Sequence, residues 1–147
     1  MTSLNQRRVV LTGLGSITNL GHDVISTWSG LLEGRSGIGQ ITAFEQDDRW
    51  ITRIAGEIKD WDPAARLDHS EIKKMDRFSQ LGVWAAAEAM EDSGLDWEQG
   101  DPYRRGVVIG SGVGGIQTIE FYASVLSEKG PRRIRPFTVP KLMVNAA

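Results

Sequence analysis

The segment from Ser70 to Ser93 carries the pattern that most restricts how this chain can fold. Ile72, Met75, Ser79, Gly82, Ala86 and Ala89 fall near one line at a spacing of about 3.6 residues, the period of an α-helix. The C-terminal part of that line is small throughout, so a second backbone can approach it closely. The spacing predicts a helix from about Ser70 to Ser93 that is central rather than peripheral. Asp68-His69-Ser70-Glu71 has capping-box spacing, with Asp at the cap and Glu three residues later, and Ser70 fits the cap position equally well. Gly94 suits the left-handed position that closes a helix.

Elements of two other kinds surround this helix. Val9-Val10-Leu11-Thr12 is a β-branched run without alternation, as in a strand covered on both faces. A helix is expected from near Asp23 to Gly34, with Val24, Trp28, Leu31 and Leu32 as its apolar face. Ile51 to Ile58 reads as a more exposed strand, and Gly106 to Gly110 as a buried one. Gly115 to Lys129 reads as a helix with Ile116, Ile119, Ala123 and Leu126 facing inward. Thr138-Val139-Pro140 looks like a helix start, Thr138 capping it and proline in the first turn. That helix is expected to run on to Ala147 and to be cut in its middle, since it ends in apolar residues without a cap. The alternation of strand and helix indicates an α/β layered fold, and 147 residues suffice for one domain with a real core.

Composition removes several classes of chemistry. A formal net charge of −2 gives no global attraction to nucleic acid. Charge is nevertheless uneven: Glu88, Glu91, Asp92, Asp96, Glu98 and Asp101 form an acidic stretch, and Lys129, Arg132, Arg133, Arg135 and Lys141 a basic one. There is no cysteine, hence no disulfide, thiolate metal site or cysteine nucleophile within these residues. His22 and His69 are too few for a histidine metal cage. No apolar run approaches the ~20 residues of a membrane span, and the N-terminus lacks an apolar signal core. The expectation is a cytoplasmic protein with no metal, no cofactor and no membrane or nucleic-acid partner.

Gly110, Gly112 and Gly115 spell G-x-G-x-x-G between an apolar run and a helical pattern. A dinucleotide site needs this motif at the first strand-to-helix turn and an acid ~20 residues later at a strand end. Here the motif comes late in the chain, and the basic segment Pro131-Arg132-Arg133-Ile134-Arg135 follows instead. No Lys-Ser or Lys-Thr follows the glycines, so a P-loop fails too. The remaining reading is clearance, with the glycine backbone lying against a neighbouring strand, a partner subunit or an acyl chain.

Several segments together carry a family resemblance. Arg7 to Gly15 resembles the opening strand and turn of the β-ketoacyl-acyl carrier protein synthases. Lys73-Lys74-Met75-Asp76-Arg77-Phe78 resembles that family's K/R-K-M-D-x-F segment, and Ala89 to Leu95 the end of the same helix. Ile109 to Gly115 is similar to its glycine segment. Gly130 to Phe137, Val139-Pro140 and Val144-Asn145 follow in the family's order and spacing. The resemblance spans nearly the whole chain and is strongest to the elongating synthases, type II.

It implies the thiolase fold, two similar α/β halves in five layers, usually a homodimer, with residues 1–147 an incomplete N-terminal thiolase-like domain. It implies a decarboxylative Claisen condensation: an acyl group passes from acyl carrier protein to a cysteine, and malonyl-carrier protein loses carbon dioxide and attacks the thioester. The family's cysteine and two histidines would lie beyond Ala147, so this chain holds no catalytic residue and is expected to be inactive alone. His22 and His69 match neither histidine.

Binding roles carry over to matching positions. Lys73 and Lys74, and Arg132 and Arg133, match two basic patches that contact the acidic carrier. Read from residues alone, the first pair is a solvated helix face and the second a turn charge run. Val113 matches the apolar residue bordering the acyl pocket. Thr138 matches a position lining the partner subunit's pocket, often aromatic in the family. A polyketide ketosynthase or its chain-length partner, and a non-catalytic carrier-binding fragment, are the alternatives; a nucleotide-dependent oxidoreductase is the weakest.

Overall fold

In the computed structural model, which describes residues 8–147, two helices stand where the hydrophobic period predicts one. The Asp68 carboxylate accepts from the Ser70 amide at 2.7 Å and opens a single turn, α2 (His69–Ile72). Asp68, not Ser70, is therefore the cap. The chain breaks across the two lysines and resumes as α3 (Arg77–Ser93), with Asp76 extended between them (φ −78°, ψ 165°). A side-chain period cannot register this break, because its cause is a tertiary bond made by Asp76. Gly94 ends α3 at φ 60°, in the left-handed region, as the sequence indicates.

Helix α3 is central. Gly13 and Gly15 press against its small-residue face: a Cβ on Gly15 would collide with the Ala85 carbonyl oxygen and lie 2.8 Å from the Ala89 nitrogen. Acids on the helix hold the same strip. Asp92 accepts from the Leu14 amide at 2.8 Å, and Glu88 accepts from the amides of Ser16 and Val24, each at 2.8 Å. Val24 begins α1 (Val24–Leu32), whose own cap is Asp23, accepting from the Ser26 amide at 2.6 Å. That bond holds the Asp23 carboxyl below its ordinary range. The Trp84 indole donates to the His22 carbonyl at 2.8 Å. Trp61 meets Trp84 edge-on at 5.6 Å, and the Arg66 guanidinium lies 5.1 Å over the Trp84 ring.

Both expected buried strands are corrected. Residues 9–12 and 106–110 form no ladder among the described residues, and Val9 and Val108 are 88% and 99% exposed. An apolar run states a preference for burial, whereas a strand exists only with a partner for its amides and carbonyls. The sheet present is one antiparallel pair, β1 (Gly39–Gln40) with β2 (Ile54–Ala55), in register Gly39 to Ala55 and Gln40 to Ile54. The expected strand over Ile51 to Ile58 thus shrinks to two residues.

The helices are placed as expected but faced otherwise. In α1, Trp28, Leu31 and Leu32 are exposed and Gly30 is buried. In α4 (Ile116–Lys129), Ile116, Ile119 and Leu126 are exposed, while Thr118, Tyr122 and Val125 turn inward. Among the described residues Trp84 is the one buried hydrophobic side chain, so the real core that the chain length allows is absent. The last helix, α5 (Thr138–Leu142), stops at Met143, which is extended (φ −70°, ψ 135°), and a 3-10 turn over Val144–Ala146 follows rather than a continuing helix.

Candidate functional site

The glycine segment, α4 and α5 meet in one joint. Gly114 (φ 83°) needs the left-handed region, and a Cβ there would also stand 2.5 Å from the Leu142 carbonyl oxygen. A Cβ on Gly115 would collide with the Lys141 carbonyl oxygen. Gly110 and Gly112 have open space around them. The clearance reading therefore holds for two of the glycines. Their neighbour within the chain is the end of α5.

Several of the amides that a phosphate would use are already engaged. Gly114 donates to the Ser111 hydroxyl at 3.0 Å and Gly115 to the Leu142 carbonyl at 3.3 Å. Thr118, in the first turn of α4, donates its amide (2.9 Å) and hydroxyl (2.5 Å) to one oxygen of Asp76. A buried carboxylate at this helix N-terminus repels a second anion, which disposes of the nucleotide reading on electrostatic grounds. Among the described residues, no group of three or more His, Cys, Asp or Glu side chains comes together to hold a metal.

Val113 is 58% exposed at the tip of the glycine turn, immediately before the joint with α5. Thr138 is 7% exposed, and its hydroxyl has no hydrogen-bond partner among the described residues. It is the first residue of α5 and makes no cap bond, so the expected capping role is corrected: the chain enters α5 through a turn in which the Thr138 amide donates to the Arg135 carbonyl at 3.0 Å. Lys73 and Lys74 occupy the exposed step between α2 and α3, not one face of a continuous helix. Lys74 pairs with Glu71 at 2.7 Å, an exposed contact worth at most ~1 kcal/mol. Arg132 and Arg133 lie in an exposed 3-10 turn (Pro131–Arg133) directly after α4.

Two grooves border two of these cations, Lys74 and Arg133. One of about 470 Å³ runs between Lys74 and Met75 on one side and Phe137, Pro140 and Met143 on the other. Another, of about 650 Å³, is floored by Phe121, Tyr122 and Val125 and edged by Lys129, Arg133 and Arg135. The basic stretch beyond Arg132 and Arg133 thus reaches an apolar floor. Sequence reasoning gave no role to Asp76, Glu88 or Asp92. Glu88 and Asp92 stood out there only as part of an acidic stretch, and nothing local in the sequence indicates that each accepts backbone amides from a distant segment.

Comparison with known proteins gives concordant findings. The family described as β-ketoacyl synthase, N-terminal domain, matches residues 6–147. The chain is 42% identical over 147 residues to 3-oxoacyl-[acyl-carrier-protein] synthase 2 of Synechocystis sp., covering all of this chain and 35% of that protein. It is 44% identical over 142 residues to the synthase 2 of Vibrio harveyi, covering 97% of this chain and 34% of that protein. The chain therefore spans about a third of the length of these relatives. Among solved structures, the ishigamide ketosynthase/chain length factor superposes with a TM-score of 0.78 at 31% identity, over 93% of this chain and 34% of that one. A type II polyketide ketosynthase in complex with its acyl-carrier protein superposes with a TM-score of 0.74 at 26% identity, over 96% of this chain and 36% of that one. The fold is accordingly α/β and thiolase-like, present here in part.

Proposed function

Because this chain belongs to the β-ketoacyl synthase family through its N-terminal domain, we propose that it forms the front portion of a 3-oxoacyl-[acyl-carrier-protein] synthase. That enzyme elongates acyl chains by decarboxylative Claisen condensation. Residues 1–147 then constitute an incomplete N-terminal thiolase-like domain. The observation that carries this reading is the match over residues 6–147. The fatty-acid reading is preferred to the polyketide one because identity is 42–44% to the synthase 2 sequences, against 26% to the type II polyketide ketosynthase and 31% to the ishigamide ketosynthase/chain length factor.

The chemistry divides between this segment and the rest of such an enzyme. A cysteine thiolate takes the acyl group from its carrier thioester, releasing the carrier thiol. Malonyl-carrier loses carbon dioxide, and the resulting enolate carbon attacks the acyl-cysteine carbonyl. Collapse of the tetrahedral adduct expels the thiolate and leaves β-ketoacyl-carrier. This chain has no cysteine, and its two histidines, His22 and His69, match neither histidine of the family. Catalytic residues are therefore assigned to sequence beyond Ala147. The roles left to this chain are binding and shaping. Lys73, Lys74, Arg132 and Arg133 receive the acidic carrier, their exposure leaving them accessible to speed encounter and fix orientation. Val113 borders the acyl pocket, and Thr138 lines the pocket of the partner subunit in a homodimer. The enzyme works in the cytoplasm without a cofactor. Among the described residues no helix is long and apolar enough to cross a membrane.

The test is condensation of acyl-carrier with malonyl-carrier by the complete polypeptide encoded by the reading frame that contains this chain. It is expected to yield β-ketoacyl-carrier, while the purified 147-residue chain yields none. Product from the short chain, or a frame that closes at Ala147, would refute the reading. Reversal of Arg132 and Arg133 to Glu is expected to weaken carrier binding by at least about tenfold and flatten its salt dependence; unchanged affinity would withdraw the carrier role from these two residues.

A further inference from the structure

Helix α4 starts after Gly115, which has no side chain with which to cap it, and it has no side-chain cap from its own neighbourhood. Asp76 stands at the cap position of α3, yet bonds none of the amides of that helix. These two irregularities have one cause. A single oxygen of Asp76 takes both the amide and the hydroxyl of Thr118, so the carboxylate that α3 would use caps α4 instead. Asp76 is 5% exposed and Thr118 9%. No ion pair reaches Asp76 among the described residues. A carboxylate at that depth is tolerable only with charge-assisted hydrogen bonds and a favourable local field. The amide end of the fourteen-residue α4 supplies both.

The turn before α4 is thus gripped from two sides. Asp76 holds it by a charge from the start of α3, and α5 holds it through the Gly115 amide on the Leu142 carbonyl. Val113 projects from this turn, and Lys73 and Lys74 precede Asp76 in the chain with Met75 between.

We propose that Asp76 is a positioning residue for the acyl-pocket wall: through Thr118 it fixes the first turn of α4 and hence the place of Val113. The inference rests on the reading of Val113 as pocket wall. Loss of the carboxylate lets the turn shift, which alters the fit of long acyl chains more than that of short ones.

The experiment uses the complete polypeptide with Asp76→Ala, Asp76→Asn, Thr118→Val and Thr118→Ser. Two readouts are taken: exchange of the residue-118 amide, and the ratio of kcat/KM between a short and a long acyl primer. In Asp76→Ala the Thr118 amide should exchange about 10- to 100-fold faster, the range expected for loss of a hydrogen bond to a charged group. The primer ratio should move on the order of tenfold, as for a misfit of one methylene or more in an apolar pocket. Thr118→Ser keeps both donors and should restore wild-type values. Asp76→Asn and Thr118→Val each keep part of the contact and should fall between, so the test survives if Asp76→Ala does not fold. Unchanged Thr118 exchange in an active Asp76 variant overturns the proposal. A common loss of rate for every primer length also overturns it, since that is what a purely structural contact gives. If the unmutated complete polypeptide elongates no primer, the pocket reading falls, and this proposal falls with it for that separate reason.

Discussion

Replacing Gly15 by alanine tests the packing of the N-terminal strip on α3 with one methyl group. The new Cβ would collide with the Ala85 carbonyl oxygen and lie 2.8 Å from both the Ala85 carbonyl carbon and the Ala89 nitrogen. These are backbone atoms inside a helix, so no rotamer change relieves the contact, and the strip itself must retreat. Overpacking of this kind costs about 1–3 kcal/mol. Retreat also stretches two amide-to-carboxylate bonds, Leu14 to Asp92 and Ser16 to Glu88, each 2.8 Å long. Such bonds are worth about 1.5–3 kcal/mol when buried and less here, where the first is exposed and the second half-buried. The combined loss is about 3–5 kcal/mol, a large share of the ~5–15 kcal/mol that holds a domain. Gly39→Ala is the control: Gly39 lies in β1 with nothing within 4 Å of a built Cβ and no positive φ, so alanine should be neutral or stabilising by up to about 1 kcal/mol. Guanidinium unfolding of the complete polypeptide compares the two, with amide exchange at Leu14 and Ser16 as the local readout. If both variants unfold within about 0.5 kcal/mol of wild type, the packing argument is wrong.

Other expectations follow from the same geometry. Trp84→Phe removes the indole donor to the His22 carbonyl and should cost about 1–2 kcal/mol in denaturant unfolding, whereas Trp84→Ala also empties the contact with Trp61 and should cost about 3–5 kcal/mol. Glu57 accepts from the amides of Thr42 and Ala43, which lower its carboxyl from the ordinary 4.5 to about 2. A depressed acid stabilises above its unfolded pKa and loses that contribution as pH falls through its folded one; the Thr42 and Ala43 amide resonances of the folded chain should titrate with a midpoint near pH 2. Glu57→Gln should abolish that transition; a midpoint near pH 4.5 in the wild type would contradict it. The isolated 147-residue chain exposes Val9, Leu11, Val107 and Val108 and should self-associate in sedimentation. A monodisperse monomer with a sharp cooperative melt would oppose that.

Local chemistry was legible from the sequence alone. Asp68 caps the turn it precedes, and Gly34 and Gly94 take left-handed angles after α1 and α3. The small stripe on α3 does receive a second backbone, and the basic pairs lie exposed at a helix break and a turn. Each of these depends on a few residues adjacent in the chain or on one helical period. The ordered motifs gave the family for the same reason: they are local strings in a fixed order.

Tertiary structure decided what depends on a partner. The apolar runs at Val9 and Val107 state a wish for burial but cannot say what pairs with them, and among the described residues nothing does. Which face of α4 turns inward was decided by Asp76 reaching Thr118, which brings Thr118, Tyr122 and Val125 inside and leaves the more apolar Ile116 and Ile119 outside. Asp76 falls inside the single helix the sequence predicts, and in the structure it stands at the cap position of α3 and serves as the cap of α4. A hydrogen bond joining residues 76 and 118 has no period or neighbouring pattern to announce it. It exists because folding brings a buried carboxylate to the open amide end of another helix, where the charge is better satisfied than at its own.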